Sequence, residues 1–257
     1  MDLTLVIQQI LKPILWVLPI LLIIGIVKTP RFKGYLGESV IKVLAKIKLP
    51  ADVYFPIHNV TLPTPDGTTQ IDHIFVSRYG VFVVETKNMK GWIFGGEKQS
   101  KWTQKIYKAT NSFQNPLHQN YKHVKTLESA LDIAPEAIRS VVAFIGSSTF
   151  KTDMPENVTQ GIGYIKYIKS FNEPVLSDEQ VQSILTRIQS GRLEPGRATD
   201  RKHIENLKTR KNPGKEKICP NCGMTMVIRK AKKGANKGNN FWGCSGYPSC
   251  RTVQKVA

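Results

Sequence analysis

At 257 residues the chain has room for one large domain or two modest ones, and a hydrophobic content of 41% is ordinary for a protein that buries a core. The formal net charge of +18 favours polyanionic partners, nucleic acid or an anionic membrane face, and says nothing about fold. All four cysteines lie between 219 and 250, which excludes a disulfide framework spread through the chain.

In chain order, Leu3 to Val27 is apolar except for Thr4, Gln8, Gln9 and Lys12. It reaches the ~20 residues that cross a bilayer if Lys12 snorkels toward the interface. No basic stretch precedes it and no small-x-small cleavage site follows it. Residues 1–28 are therefore expected to be an uncleaved transmembrane helix, with a buried or interfacial helix as the alternative. Lys28, Arg31 and Lys33 follow the segment. The positive-inside rule then predicts a single-pass membrane protein whose C-terminal bulk lies in the cytoplasm. In that reducing compartment clustered cysteines are expected to bind metal rather than to form two local disulfides.

Gly34 to Lys48 places Leu36, Val40, Val43, Leu44 and Ile47 at near-helical spacing, carries Glu38, and is closed by Pro50. Strands are expected at 53–55, 68–77, 81–87 and 91–95, punctuated by Pro63-Thr-Pro65-Asp66-Gly67 and Arg78-Tyr79-Gly80, and joined as a meander of adjacent antiparallel strands. Asn115-Pro116 opens a helix to about Leu131. A β-like run at 140–145, a strand near 161–165 and a helix at 178–189 follow. This order predicts a layered α/β domain, with 151–190 as its C-terminal extension. Residues 191–216 are polar and basic and are expected to be a linker. From 190 to 257 there are sixteen Lys and Arg against four Asp and Glu, so the basic character is concentrated at the C-terminal end.

Two groups carry chemistry. In the first, the turn at Arg78 to Gly80 folds two apolar strands together, so that Asp72 is expected opposite Glu85, with Lys87 on the same face by alternation. A slip of one residue would undo this. Paired carboxylates at the edge of an apolar sheet suit a hard cation, Mg²⁺ or Mn²⁺, and a neighbouring lysine can position water or stabilise charge on a phosphate. The plain alternative is a surface hairpin with an ordinary ion pair. His58, His73, His118, His123 and His203 show no ligand spacing among themselves, and alternation points His73 away from Asp72.

The second group is Cys219-Pro-Asn-Cys222-Gly with Cys244 and Cys250, four thiolates expected to hold one structural Zn²⁺ in a module over 217–257. Arg229, Lys230, Lys232, Lys233 and Lys237 lie between the pairs, with Phe241, Trp242 and Tyr247 as aromatic faces. Cations for phosphates and rings for bases suit nucleic acid; the alternative is a structural knuckle whose charges are solvated.

Cys-Pro-x-Cys-Gly followed by Phe-Trp-Gly-Cys-Ser-x-Tyr-Pro-x-Cys resembles the four-cysteine zinc finger at the C-termini of bacterial type I DNA topoisomerases. That resemblance implies single-stranded DNA binding with a structural zinc. Gly37-Glu38, Gln70-Ile-Asp72-His73, Gly80-Val-Phe-Val-Val-Glu85-x-Lys87-Asn88, Gly91, Trp102-Thr-Gln104 and Asn115-Pro-Leu-x-Gln119 together resemble the nuclease-related domain, a family grouped with the PD-(D/E)xK nucleases. Ile71 stands where that superfamily commonly has proline. The resemblance spans roughly 34–150 and implies a restriction-endonuclease-like mixed sheet flanked by helices. It also implies that Asp72 and Glu85 bind Mg²⁺ or Mn²⁺ with the Thr86 carbonyl, Lys87 assists water, and Glu38 and Gln119 support the site. The expectation is a membrane-anchored DNA-binding protein with a metal-dependent DNA nuclease domain. The alternative is a non-catalytic tether holding DNA or a DNA-processing complex at the membrane.

Overall fold

The computed structural model describes residues 17–19, 21–64, 67–131, 133–211, 217–231 and 238–255. The chain divides into two units, one of residues 1–62 and 70–192, the other of 63–69 and 193–257.

In the first unit, helix α1 (Pro30–Lys48) starts where the Thr29 hydroxyl accepts from the Phe32 N–H and Pro30 presets the first turn. It ends at Leu49, before Pro50. Strands β1 (Phe55–Thr64), β2 (Gly67–Ser77) and β3 (Gly80–Asn88) follow, then β4 (Gly91–Phe94), β5 (Lys101–Ile106) and β6 (Ala109–Gln114). Helix α2 (Pro116–Leu131) precedes β7 (Ile138–Ile145), β8 (Ser148–Phe150), β9 (Val158–Gln160), α3 (Gly163–Lys169) and α4 (Asp178–Gly191).

The main sheet has the order β1-β2-β3-β7-β9. β2 and β3 are antiparallel, while β3–β7 and β7–β9 are parallel, so the sheet is mixed. The expected simple meander is corrected here: after β3 the chain leaves for a second sheet, β6-β5-β4-β8, and β3 takes β7 as its other neighbour. The run at 161–165 is corrected as well. Its apolar residues Tyr164, Ile165 and Ile168 are buried at helical spacing in α3, and the strand lies just before, in β9.

Alternation along β2 and β3 divides the core. Ile74, Val76, Val81 and Val83 pack with Val124 and Leu127 of α2 and Val181 and Ile184 of α4. Phe75, Phe82 and Val84 pack on the other face with Ile41 and Ala45 of α1 and Tyr164 of α3. Between the two sheets Trp102 stacks on Phe144, centroids 6.1 Å apart and 10° from parallel, and its indole donates to the Gly96 carbonyl at 3.0 Å. Gly95 makes room for that ring, since a Cβ there would lie 2.2 Å from it.

The segment expected to span a membrane, 3–27, begins in residues outside those described. Residues 21–28 are helical with exposed side chains, and among the described residues no helix is long and apolar enough to cross a bilayer.

In the second unit the stretch expected to be a linker is helical over Arg197–Lys211 (α5). Its sequence lacks a broad apolar stripe, yet His203 is buried and meets the Thr68 hydroxyl at 3.0 Å, with Asn206 donating to the same oxygen. A four-stranded antiparallel sheet follows, β10 (Lys217–Ile218), β11 (Thr225–Lys230), β12 (Asn240–Cys244) and β13 (Val253–Lys255).

Candidate functional site

The register of β2 and β3 is the expected one: His73 pairs Val84, Ile74 pairs Val83, and Ser77 pairs Gly80. Just beyond the His73–Val84 pair, the Thr86 N–H donates to Asp72 Oδ2 at 2.9 Å, which clamps the aspartate onto the end of β3. On that strand Lys87 Nζ donates to Glu85 Oε1 at 2.6 Å and to Gln119 Oε1 at 2.9 Å. Glu85 is 2% exposed, and its second oxygen lies 3.3 Å from His123 Nε2. The structure therefore brings Asp72, Glu85, Lys87 and Gln119 together.

Glu38 comes from α1, which approaches β3 closely because Gly37 has no Cβ; one added there would lie 2.8 Å from the Asn88 Cβ. Asn88 holds the approach by donating to the Lys33 carbonyl at 2.6 Å. Glu38 lies near enough to Glu85 for their charges to interact.

These carboxylates differ in proton affinity. Burial pushes Asp72 well above the usual carboxylate range, the Glu85 charge adds to this, and the Thr86 N–H opposes it. Burial also acts to raise Glu85, but the Lys87 ammonium and His123 outweigh it and hold Glu85 below its ordinary value. Glu38 is raised by burial, moderated by Lys42 and reinforced by Glu85. One acid is thus anionic and paired while its neighbour favours the proton, an arrangement that a divalent cation would reverse at Asp72.

His123 was not singled out from the sequence as part of this group. The available signal was its place four residues after Gln119 on α2, which puts the two on one helix face. His73 follows the expectation: it turns to the opposite face, where its Nδ1 meets His58 Nδ1 at 2.9 Å. Burial and the His58 charge push His73 down to about 3.

In the second unit the four sulfurs converge. All lie within 4.8 Å of one another, with Cys219–Cys250 at 3.6 Å and Cys222–Cys244 at 3.3 Å. Tetrahedral Zn–S bonds of about 2.3 Å require S···S separations of about 3.8 Å, so the donors fit one zinc ion. The Gly246 N–H donates to Cys244 Sγ at 3.3 Å and Asn221 donates to Cys250 Sγ at 3.6 Å, bonds that favour thiolate.

Of the side chains expected to meet nucleic acid, Arg229 and Lys230 are exposed on β11, and Tyr247 is 59% exposed with the Arg229 guanidinium 5.8 Å from its ring centre. Phe241 is half-buried opposite Arg229 on β12. Trp242 is a correction: it is 6% exposed and packs with Met226 and three of the cysteines, so it supports the zinc knuckle from inside. Lys255 pairs with Phe241 and joins this patch, which sequence reasoning missed because the pairing crosses from β12 to β13. Lys232, Lys233 and Lys237 lie outside the described residues.

Comparison with known proteins gives the following. The family model described as nuclease-related domain matches residues 33–145, and that described as topoisomerase DNA binding C4 zinc finger matches residues 216–257. An uncharacterized protein of Bacillus anthracis is 39% identical over 183 residues, covering 69% of this chain and 85% of that protein. No solved structure matches.

Proposed function

Because the chain belongs to the nuclease-related domain family and ends in a topoisomerase-type C4 zinc ribbon, we propose that it binds DNA and hydrolyses its phosphodiester bonds with a divalent metal ion. The observation that carries this reading is the meeting of Asp72, Glu85, Lys87 and Gln119 at one end of β2 and β3. An acid on one strand and Glu-x-Lys on the next, in a mixed sheet flanked by helices, is also the restriction-endonuclease-like arrangement that the sequence resemblance implies.

In this reading Asp72 and Glu85 hold Mg²⁺ or Mn²⁺ with the Thr86 carbonyl, and the ion supplies Lewis-acid polarisation of the phosphate. Lys87 has three N–H donors, of which Glu85 and Gln119 take two. The third is left to orient water or to stabilise charge on a phosphate oxygen. Gln119 fixes the ammonium, and Glu38 supports the site from α1. The zinc ribbon holds DNA, including single strands, through Arg229, Lys230, Tyr247, Phe241 and the basic residues 232, 233 and 237.

The test is cleavage by the full, zinc-loaded chain of single-stranded, duplex and nicked DNA with Mg²⁺ or Mn²⁺. Hydrolysis that needs the ion is expected. Binding of all three without cleavage under any of these conditions would replace the hydrolytic reading with the non-catalytic tether.

The reading also places the chain at the membrane through its N-terminal segment, as a single-pass protein with residues from 28 onward in the cytoplasm. Support comes from Leu18, Leu21, Leu22, Ile23 and Ile26, all at least 51% exposed, and from Lys28 and Lys33 just after them. Protease added outside intact cells is expected to spare the zinc ribbon, and external digestion of it would overturn this topology.

A further inference from the structure

On the second sheet, Lys90, Trp92, Lys105, Ile106, Tyr107 and Ser147 line a cavity of about 360 Å³. None of the described residues lining it is acidic. Gly91 is part of its wall with φ +78°, and a Cβ there would lie 2.5 Å from the Lys105 carbonyl oxygen, so the close approach of β4 to β5 requires glycine. Two large rings at this cavity are left open to water: Trp92 is 49% exposed and Tyr107 is 95% exposed. Tyr107 holds φ +51°, a left-handed conformation that an aromatic residue rarely adopts, at the tip between β5 and β6.

Two open aromatic rings among ammonium groups make a poor apolar contact but a fitting complement to a nucleotide, with a base against the rings and phosphate oxygens near the lysines. Lys151 adds a further cation 4.8 Å from the Trp92 ring centre, and it does not line the cavity, which leaves another side of the ring for a base. Gln104 holds the Lys90 carbonyl at 2.9 Å, so this end of the cavity is tied to the sheet. Lys90 follows Lys87 by three residues, which keeps their backbones within about 11 Å, the reach of one or two nucleotides.

We propose that this cavity seats an unpaired nucleotide of a DNA strand, one or two positions from the phosphate held at Asp72, Glu85 and Lys87. The neighbour relation rests on the hydrolytic reading above; the seat itself does not. Stacking on Trp92 and Tyr107 needs a free base face, which a base inside a duplex does not offer. The seat therefore selects single strands, flaps or frayed ends and tolerates any base.

The experiment is photocrosslinking of the full, zinc-loaded chain to a single-stranded oligodeoxynucleotide carrying 5-iododeoxyuridine, with the modified peptide identified by mass spectrometry. Crosslinks at Trp92 or Tyr107 are expected, with a yield about tenfold lower for the same strand in a duplex. Trp92→Ala and Tyr107→Ala should each lower the crosslink at the remaining ring by about tenfold, while Trp92→Phe keeps most of it. Both side chains are exposed, and an unchanged circular dichroism spectrum checks that the variants fold. Crosslinks confined to residues 217–257, or equal yields from single strand and duplex, would overturn the seat. A chain that crosslinks through Trp92 yet never cleaves would keep the seat and remove the hydrolytic reading. Cleavage without a crosslink at either ring would do the reverse.

Discussion

Glu85→Ala is expected to abolish metal-dependent cleavage, lowering the rate by about a thousandfold or more, and to remove divalent-ion binding at the same time. The residue is 2% exposed and pairs with both Lys87 and His123, so alanine also leaves the half-buried Lys87 ammonium without its carboxylate. Breaking a fully buried pair costs about 3–5 kcal/mol, an upper bound here because Lys87 is partly exposed, and Glu85→Gln, which keeps the shape, separates lost chemistry from lost folding. Asp72→Ala should be equally inactive but behave differently in stability. The folded chain holds the Asp72 proton more tightly than the unfolded chain, where its value is close to 3.8. The stability this contributes is fully present below the unfolded value and is lost as pH rises through the folded one. Without metal, the unmodified chain should therefore lose stability with rising pH where Asp72→Asn does not, and adding Mg²⁺ should release a proton and restore it. Lys87→Ala should keep much of the metal affinity and slow the reaction, since its contacts are with Glu85 and Gln119. Calorimetric ion titration beside a cleavage assay checks all five variants. Cleavage by Glu85→Ala at the unmodified rate would remove the site from consideration.

Removing zinc should have the second largest effect. The cluster that closes the ribbon consists of Cys219, Cys244, Cys250, Met226 and Trp242, too few apolar side chains to hold four short strands alone. Binding of zinc to four thiolates supplies about 10–16 kcal/mol near pH 7 in comparable small modules. Excess chelator under reducing conditions, or Cys244→Ser, is expected to unfold residues 217–255 and leave the main sheet intact. Trp242 fluorescence should shift as the ring becomes exposed, and amide exchange should speed up in β11 and β12 but not in β3 and β7. DNA affinity should fall with it, and in the intact chain it should decline steeply with salt if, as proposed, the exposed cations Arg229, Lys230 and Lys255 meet phosphates. A ribbon that keeps slow exchange without metal would contradict the assignment.

Much of the candidate site was legible because it depends on local rules. Alternation and a tight turn at Arg78 to Gly80 fix the register of β2 and β3; that register brings Asp72 to Thr86, while alternation along β3 sets Lys87 beside Glu85. The cysteines were legible from spacing, since a Cys-x2-Cys turn and a second pair can meet only around something shared. What the sequence concealed depends on distant partners. The parallel pairing of β3 with β7 leaves no local trace, so an antiparallel meander looked sufficient. Trp242 reads as a stacking platform until the strand pairing shows that its neighbours are the cysteines and Met226. Nothing local to His203 in its polar stretch signals burial, because its partner, Thr68, lies 135 residues away.

The parallel pairing has a consequence for synthesis of the chain. β3 carries Glu85 and Lys87, but its partner β7 leaves the ribosome only after β4, β5, β6 and α2, and β9 comes later still. Gln119 and His123 arrive with that intervening segment, between the strand they support and the strand that completes the sheet. Contacts so distant in sequence form late, after the cost of closing the loop has been met. A nascent chain that ends before Ile145 therefore displays Asp72, Glu85 and Lys87 on β1, β2 and β3 alone, without the parallel neighbour of β3 and without α3 and α4, which cover the two faces of the sheet. The acids can be translated well before they can be held in place, so the proposed cleavage of DNA would have to wait until nearly the whole first unit has emerged.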